Sequence, residues 1–159
     1  MTEKQLKIKI RIWLLLFIVG LALSGITAFP IETELAFLAR NSGSFPATMA
    51  AWINTIYEAV KATNASYPYL AYGTDWLAFG HLVIATAFIG PLINPVKNVW
   101  ILQFGMIACV MVFPLAFIAG PIRHIPLYWR LIDCSFGFFG FFPLLFCYRS
   151  IRKLEKLQK

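Results

Sequence analysis

An all-α integral membrane protein, a four-transmembrane-helix bundle with a short helical extracytoplasmic insert between helices 1 and 2, is the fold this sequence predicts. Three observations carry the prediction. Of 159 residues, 60% are hydrophobic and 13% charged, and the mean hydropathy is +0.73, whereas a soluble domain is about half apolar and about a quarter charged. Uncharged runs of about 20 residues recur, each long enough to cross about 30 Å of hydrocarbon. Lysine and arginine gather at the borders of those runs. The apolar runs lack the strict alternation of barrel strands, and fifteen Phe, six Tyr and five Trp exclude a disordered chain. The length suits a single membrane domain over residues 1–159, without room for two repeated transporter halves.

The first span covers about 12–31, the uncharged run Ile12 to Ile31, with Trp13 as an interfacial anchor. A basic segment precedes it, and Ser24, Gly25 and Ala28 resemble a signal-peptide cleavage region. An apolar stretch of about 20 residues nevertheless exceeds the 7–15 of a signal h-region, and Pro30 follows the best cut, so a retained span is expected. Small residues at Gly20 and Ser24 suit close helix contact. Residues 32–74 form the insert. In it Met49, Trp52, Ile53, Ile56, Tyr57 and Val60 recur at helical spacing on one face, with Ser44 placed to cap and Pro46 to start that helix. A shorter helix over Ile31 to Arg40 carries Leu35, Phe37 and Leu38. Two helices lying over the bundle mouth or along the interface are expected. Asn64-Ala65-Ser66 matches a glycosylation sequon.

The second span covers about 75–94, opening at Asp75 and Trp76, and the hairpin Asn94-Pro95-Val96-Lys97-Asn98 leads to the third, about 98–121. Pro91 and Pro114 read as helix ends or kinks, and Ala116 with Gly120 as a close-contact pair. A second hairpin runs from Gly120 to Pro126. Only the 15 residues Cys134 to Tyr148 are then free of charge, about 22 Å as a helix. The fourth span must therefore borrow from its N-terminal side, giving about 128–148 and drawing Asp133, and with it Arg130, below the membrane surface. The basic segment 149–159 reads as a short tail helix on the membrane surface, with Leu154 and Leu157 as its apolar residues.

The net charge of +7 is a matter of topology. Ten of 14 Lys and Arg lie at Lys4, Lys7, Lys9, Arg11, Lys97, Arg149, Arg152, Lys153, Lys156 and Lys159; with Glu3 and Glu155 those segments carry +8 and the remainder −1. Cations bordering apolar helices stay on the cytoplasmic side and meet anionic lipid there. Both termini are accordingly expected in the cytoplasm, a bacterial inner membrane is the expected location, and no nucleic-acid partner is implied. Cys109, Cys134 and Cys147 all fall inside spans, so free thiols packed as small apolar residues are expected, with no disulfide framework and no zinc pattern.

Ionisable groups at membrane depth are costly and mark either a site or a polar latch between helices. Here they gather toward the non-cytoplasmic ends of the spans: Asp75 and His81 in the second, Arg123 and His124 after the third, Arg130 and Asp133 in the fourth. Asp133 is followed at i+4 and i+7 by Gly137 and Gly140, a row that brings another helix close, so Asp133 faces protein. Phe138, Phe141, Phe142 and Leu145 are left to lipid. Ala78 and Ala85 flank His81 on its own face, so the imidazole is expected inside the bundle near Asp133, and Arg130 is placed to reach Asp133 along the helix.

An ion-pair network that fixes helix register is the structural reading of these groups. The functional readings are three. Arg123 and Arg130, with Asp75, Tyr128 and Trp129, would bind the head of a phospholipid or quinone, arginine being bidentate to phosphate and aromatics suited to the interface. His81 and Asp133 are the candidate catalytic pair, able to exchange protons with a lipid or quinone. His81 and His124 are the one histidine pair available for haem; the position of His124 between Pro121 and Pro126 argues against it, and no cofactor or metal is expected. No Gly-x-Ser-x-Gly elbow is present. The sequence therefore points to a non-catalytic binding, assembly or accessory subunit, associated with other membrane subunits or its own copies, with a polar outer-leaflet pocket; the alternative is a small membrane enzyme or redox protein using His81 and Asp133.

Overall fold

A computed structural model describes residues 2–158 and is helical throughout its regular elements. Helix α1 is Glu3–Ala28, α2 Ile31–Arg40, α3 Ala47–Ser66, α4 Tyr72–Ala87, α5 Ile89–Ile93, α6 Val99–Pro114, α7 Gly120–Ile122 and α8 Leu127–Leu157. Among the described residues four helical stretches are long and apolar enough to cross a membrane: Glu3–Ala28, Pro68–Ile93, Val99–Ile122 and Leu127–Leu157. They coincide with the four expected spans. The chain divides into two compact units, one formed by the segments up to Gly20 and from Ala85 onward, the other by Leu21–Ile84.

In the first unit, segments of all four spans pack as a bundle around one core. Leu6, Ile10 and Leu14 of α1, Phe88 at the end of the second span, Leu102 of α6, and Leu144, Cys147, Ile151 and Leu154 of α8 form a continuous buried cluster. The outward faces are apolar too, as contact with lipid tails requires: Met111 is 63% exposed, Leu115 66% and Phe139 70%. Rings reinforce the contacts, Phe17 on Phe88 with centroids 4.7 Å apart and Trp13 on Phe146 at 5.3 Å. The expected glycine row is a close seam between α8 and α6. A Cβ added at Gly137 would lie 2.5 Å from the Cys109 carbonyl oxygen, and one at Gly140 3.1 Å from Cys109 Sγ. Close backbone approach is what drives helix pairing in lipid, where burying apolar surface brings no gain over contact with lipid.

The two prolines within long helices behave differently. Pro114 has no N–H and its ring crowds the preceding turn, and beyond it the chain widens into a π turn, Leu115–Ala119, before α7. Pro143 is accommodated inside α8, which continues without a break. The hairpin after α5 is held by side chains: Asn98 Nδ2 donates to the carbonyls of Gly90 (3.1 Å) and Asn94 (2.9 Å), and Asn94 Oδ1 accepts from the Lys97 N–H at 3.0 Å.

Three expectations about this unit are corrected. The basic tail expected over 149–159, described up to Gln158, is not a separate surface helix, because α8 runs unbroken to Leu157; Ser150, Ile151 and Leu154 are buried, and Gln158 donates to Glu3 Oε1 at 3.1 Å. At 31 residues α8 is about 46 Å long, so it outruns the hydrocarbon and packs its last turns on the start of α1. Gly20 makes no close contact, with nothing within 4 Å of an added Cβ, and Ser24 is exposed. Of the residues left to lipid, Phe138 and Phe142 are exposed as expected, with Phe136 and Phe139 more so at 67% and 70%, whereas Phe141 and Leu145 are half-buried, and Phe141 lines a groove of about 190 Å³ with Cys109 and Gly137.

In the second unit α2 and α3 pair. Ile53 is buried, Met49, Trp52, Ile56, Tyr57 and Val60 are half-buried, and Asn54, Thr55 and Glu58 are exposed, so the predicted apolar face is the packed one. Leu35 meets the same expectation on α2 but Phe37 is 67% exposed. Ser44 does not cap α3: it ends a 3-10 turn, Ser42–Ser44, and Pro46 takes the cap position itself. Asn64 of the sequon donates to Glu32 Oε2 at 2.7 Å, tying α3 to α2. The close contact of α1 with α4 is made by Gly25, where an added Cβ would sit 2.9 Å from the Ala78 carbonyl and 3.0 Å from His81 Cβ.

Candidate functional site

Gly120, Arg123, His124, Tyr128, Trp129, Arg130 and Asp133 all belong to the first unit, around the turn that joins α7 to α8. The turn is built by backbone bonds. The N–H of Ile125 donates to the Gly120 carbonyl at 2.9 Å and that of His124 to the Pro121 carbonyl at 3.0 Å, the paired bonds of a Schellman helix end. His124 occupies the left-handed position of that motif, with φ 55°. Glycine is the usual resident there, though histidine tolerates the region better than most side chains. Pro126 then sets the cap of α8, its carbonyl accepting from the N–H groups of Trp129 and Arg130, both at 3.1 Å.

Arg130 lies across Gly120. A Cβ added at Gly120 would collide with Arg130 Cδ and fall 2.9 Å from Cγ, so the glycine is the space the arginine stem occupies. Side chains on a helix lean toward its N-terminus, which carries Arg130 back to the turn and away from Asp133, one turn further on. The expected Arg130–Asp133 ion pair is therefore not formed. Among the described residues the ion pairs are Lys7–Glu3 and Arg152–Glu155, each at 2.7 Å. Arg130 Nε is buried with no hydrogen-bond partner, while Arg123 and His124 are exposed and Asp133 is half-buried. A buried donor left unpaired costs about 1–3 kcal/mol. The only other such side-chain atom described is Trp52 Nε1 in the second unit.

Asp75 and His81 lie in the second unit, on α4. Asp75 stands in the first turn of that helix, where a carboxylate is favoured by the helix dipole. His81 is half-buried, its Nδ1 2.8 Å from the Leu77 carbonyl oxygen. A carbonyl only accepts, so Nδ1 carries the hydrogen, and in the neutral ring Nε2 is left as the acceptor. The flanking Ala78 and Ala85 are buried as expected.

The role of Gly120 as the bed for Arg130 is not visible in the sequence, where Gly120 pairs with Ala116 as a small residue for close helix contact and opens the hairpin to Pro126. The cysteines behave as free thiols: Cys134 and Cys147 are buried, and Cys147 Sγ approaches the Ile10 carbonyl at 3.9 Å. Two clefts of this unit, the apolar groove at Cys109 and one at the termini, are not lined by Arg123, Arg130 or Asp133. Set beside known proteins, the chain matches no family model, and no curated protein and no solved structure is similar to it.

Proposed function

We propose that this small four-span membrane protein is a non-catalytic binding or accessory subunit of a membrane complex, and that the turn between α7 and α8 holds the phosphate-bearing head of a lipid. The buried, unpartnered Nε of Arg130, laid over Gly120, carries this reading. A polar latch would have used that nitrogen and the Asp133 carboxylate internally, and they do not pair. Arg123, three residues beyond Gly120, adds a second guanidinium, and Tyr128 with Trp129 supplies amphipathic rings suited to headgroup depth. The lysine and arginine excess at the other end of the spans supports cytoplasmic termini and, with them, an outer-leaflet position for this turn in a bacterial inner membrane. Native mass spectrometry of protein extracted in mild detergent tests the proposal. A lipid mass retained by the wild type is expected to disappear from the Arg123→Ala, Arg130→Ala double variant; unchanged lipid content in a stable variant overturns it.

The fixed tautomer of His81 favours one second reading, a membrane enzyme or redox protein in which Nε2 takes a proton from a quinol or lipid substrate. Its signature in the same experiment is a quinone mass that is lost from His81→Ala and kept by the double arginine variant. A wild type that retains no quinone removes it.

A further inference from the structure

At the end of the first unit that carries both termini, α1 and the chain around α5 enclose a cleft of about 630 Å³, within the usual range of ligand sites. One wall is cationic. Lys4, Lys7 and Arg11 line it from α1, and their spacing of i, i+3 and i+7 puts them on one helix face. The opposite wall is apolar and holds no charge: Leu92 and Ile93 stand there between two prolines, and Ile93 is 81% exposed, the most exposed large apolar side chain described. Glu3 is the only acid in the lining, so the cleft has a formal charge of +2. Glu3 engages Lys7 in an i,i+4 pair at 2.7 Å, with the two side chains 50% and 56% exposed, a type of pair that holds weakly. Neither Lys4 nor Arg11 has an ion-pair partner among the described residues.

Depth distinguishes the ligand. Arg11 is the last charge before the uncharged run of the first span, and Ile93 stands near the end of the second. The cleft therefore straddles the boundary between hydrocarbon and water, with Arg11 at the boundary, Lys7 about one turn further out and Lys4 about two. We infer that this cleft binds one anionic glycerophospholipid of the adjoining leaflet, its phosphate on Arg11, its headgroup along Lys7 and Lys4, and the start of its acyl chains along Leu92 and Ile93. Arginine meets phosphate bidentately, lysine as a mobile point charge, and basic pockets between membrane helices suit anionic headgroups. A soluble phosphate ester shares the anion but has no use for the apolar wall. The inference is independent of the site proposed at the α7–α8 turn.

The test titrates delipidated full-length protein in a neutral detergent, which supplies no charged membrane surface, with phosphatidylglycerol, phosphatidylcholine and glycerol 3-phosphate, read by native mass spectrometry. Wild type is expected to bind one phosphatidylglycerol on the order of tenfold more tightly than phosphatidylcholine. Lys4→Gln with Arg11→Gln is expected to abolish that preference. Lys153→Gln with Lys156→Gln, which removes the same charge from exposed tail positions, is expected to keep it. A wild type without preference overturns the inference even if the Lys4, Arg11 variant fails to fold. Equal loss in the tail variant, or glycerol 3-phosphate binding as tightly as the lipid, overturns it as well.

Discussion

Gly137→Leu is expected to lower the melting temperature in detergent strongly, by an amount corresponding to at least about 1–3 kcal/mol. The reason is the 2.5 Å that would separate a new Cβ from the Cys109 carbonyl oxygen. That neighbour is backbone, so relief requires α6 and α8 to part, and every contact along the seam weakens with them. Val112 Cβ, at 3.4 Å from the same point, closes the alternative route. The matched control is Gly20→Leu, in open space, which is expected to leave stability unchanged or improve it slightly, since glycine in a helix interior costs about 0.5–1 kcal/mol relative to alanine. A Gly137→Leu protein that melts with the wild type would mean that α6 and α8 are not held at this distance.

Leu154→Ala is the second large effect, expected to cost about 2–5 kcal/mol. Leu154 is 1% exposed and Ile151 equally buried, and both belong to the core with Leu6 and Ile10. These residues lie among the charged ends of α1 and α8, where water is the alternative solvent, so the hydrophobic effect acts on them as it does in a soluble protein. Leu157→Ala, at a position 59% exposed, is expected to change unfolding by no more than about 0.5 kcal/mol. Chemical denaturation of both variants in the same detergent checks the contrast. Equal stability would return the basic tail to a role in topology alone.

The elements of the fold were legible because their causes are local or compositional. A run of about 20 apolar residues must satisfy its backbone internally and so becomes a helix in lipid. The periodicity from Met49 to Val60 marked the packed face of α3, and the interval Asp133, Gly137, Gly140 announced a helix seam because a missing Cβ is visible in a sequence. Asn98 and Pro114 did less, since an asparagine or a proline states a local preference without naming what answers it.

The candidate site was legible only as a set of residue types. That Arg123, Arg130 and Asp133 belong to one end of the spans follows from their positions along the chain. That Arg130 turns back over Gly120 and leaves Asp133 unpaired does not, because an i,i+3 interval permits an ion pair as readily as it permits its absence, and the choice rests on where an arginine stem finds room. The basic tail shows the same division. Its charge was read from composition and its expected role was topology, yet the length of α8 lets Ile151 and Leu154 meet Leu6 and Ile10 across about 150 residues of chain. Spans, their order and the excess of positive charge at the termini are thus properties of the sequence, because hydrophobicity and charge act through a solvent that every segment meets alike. Which charges stay unpaired, which glycine admits a side chain and where a cationic wall faces an apolar one depend on neighbours that only folding brings together.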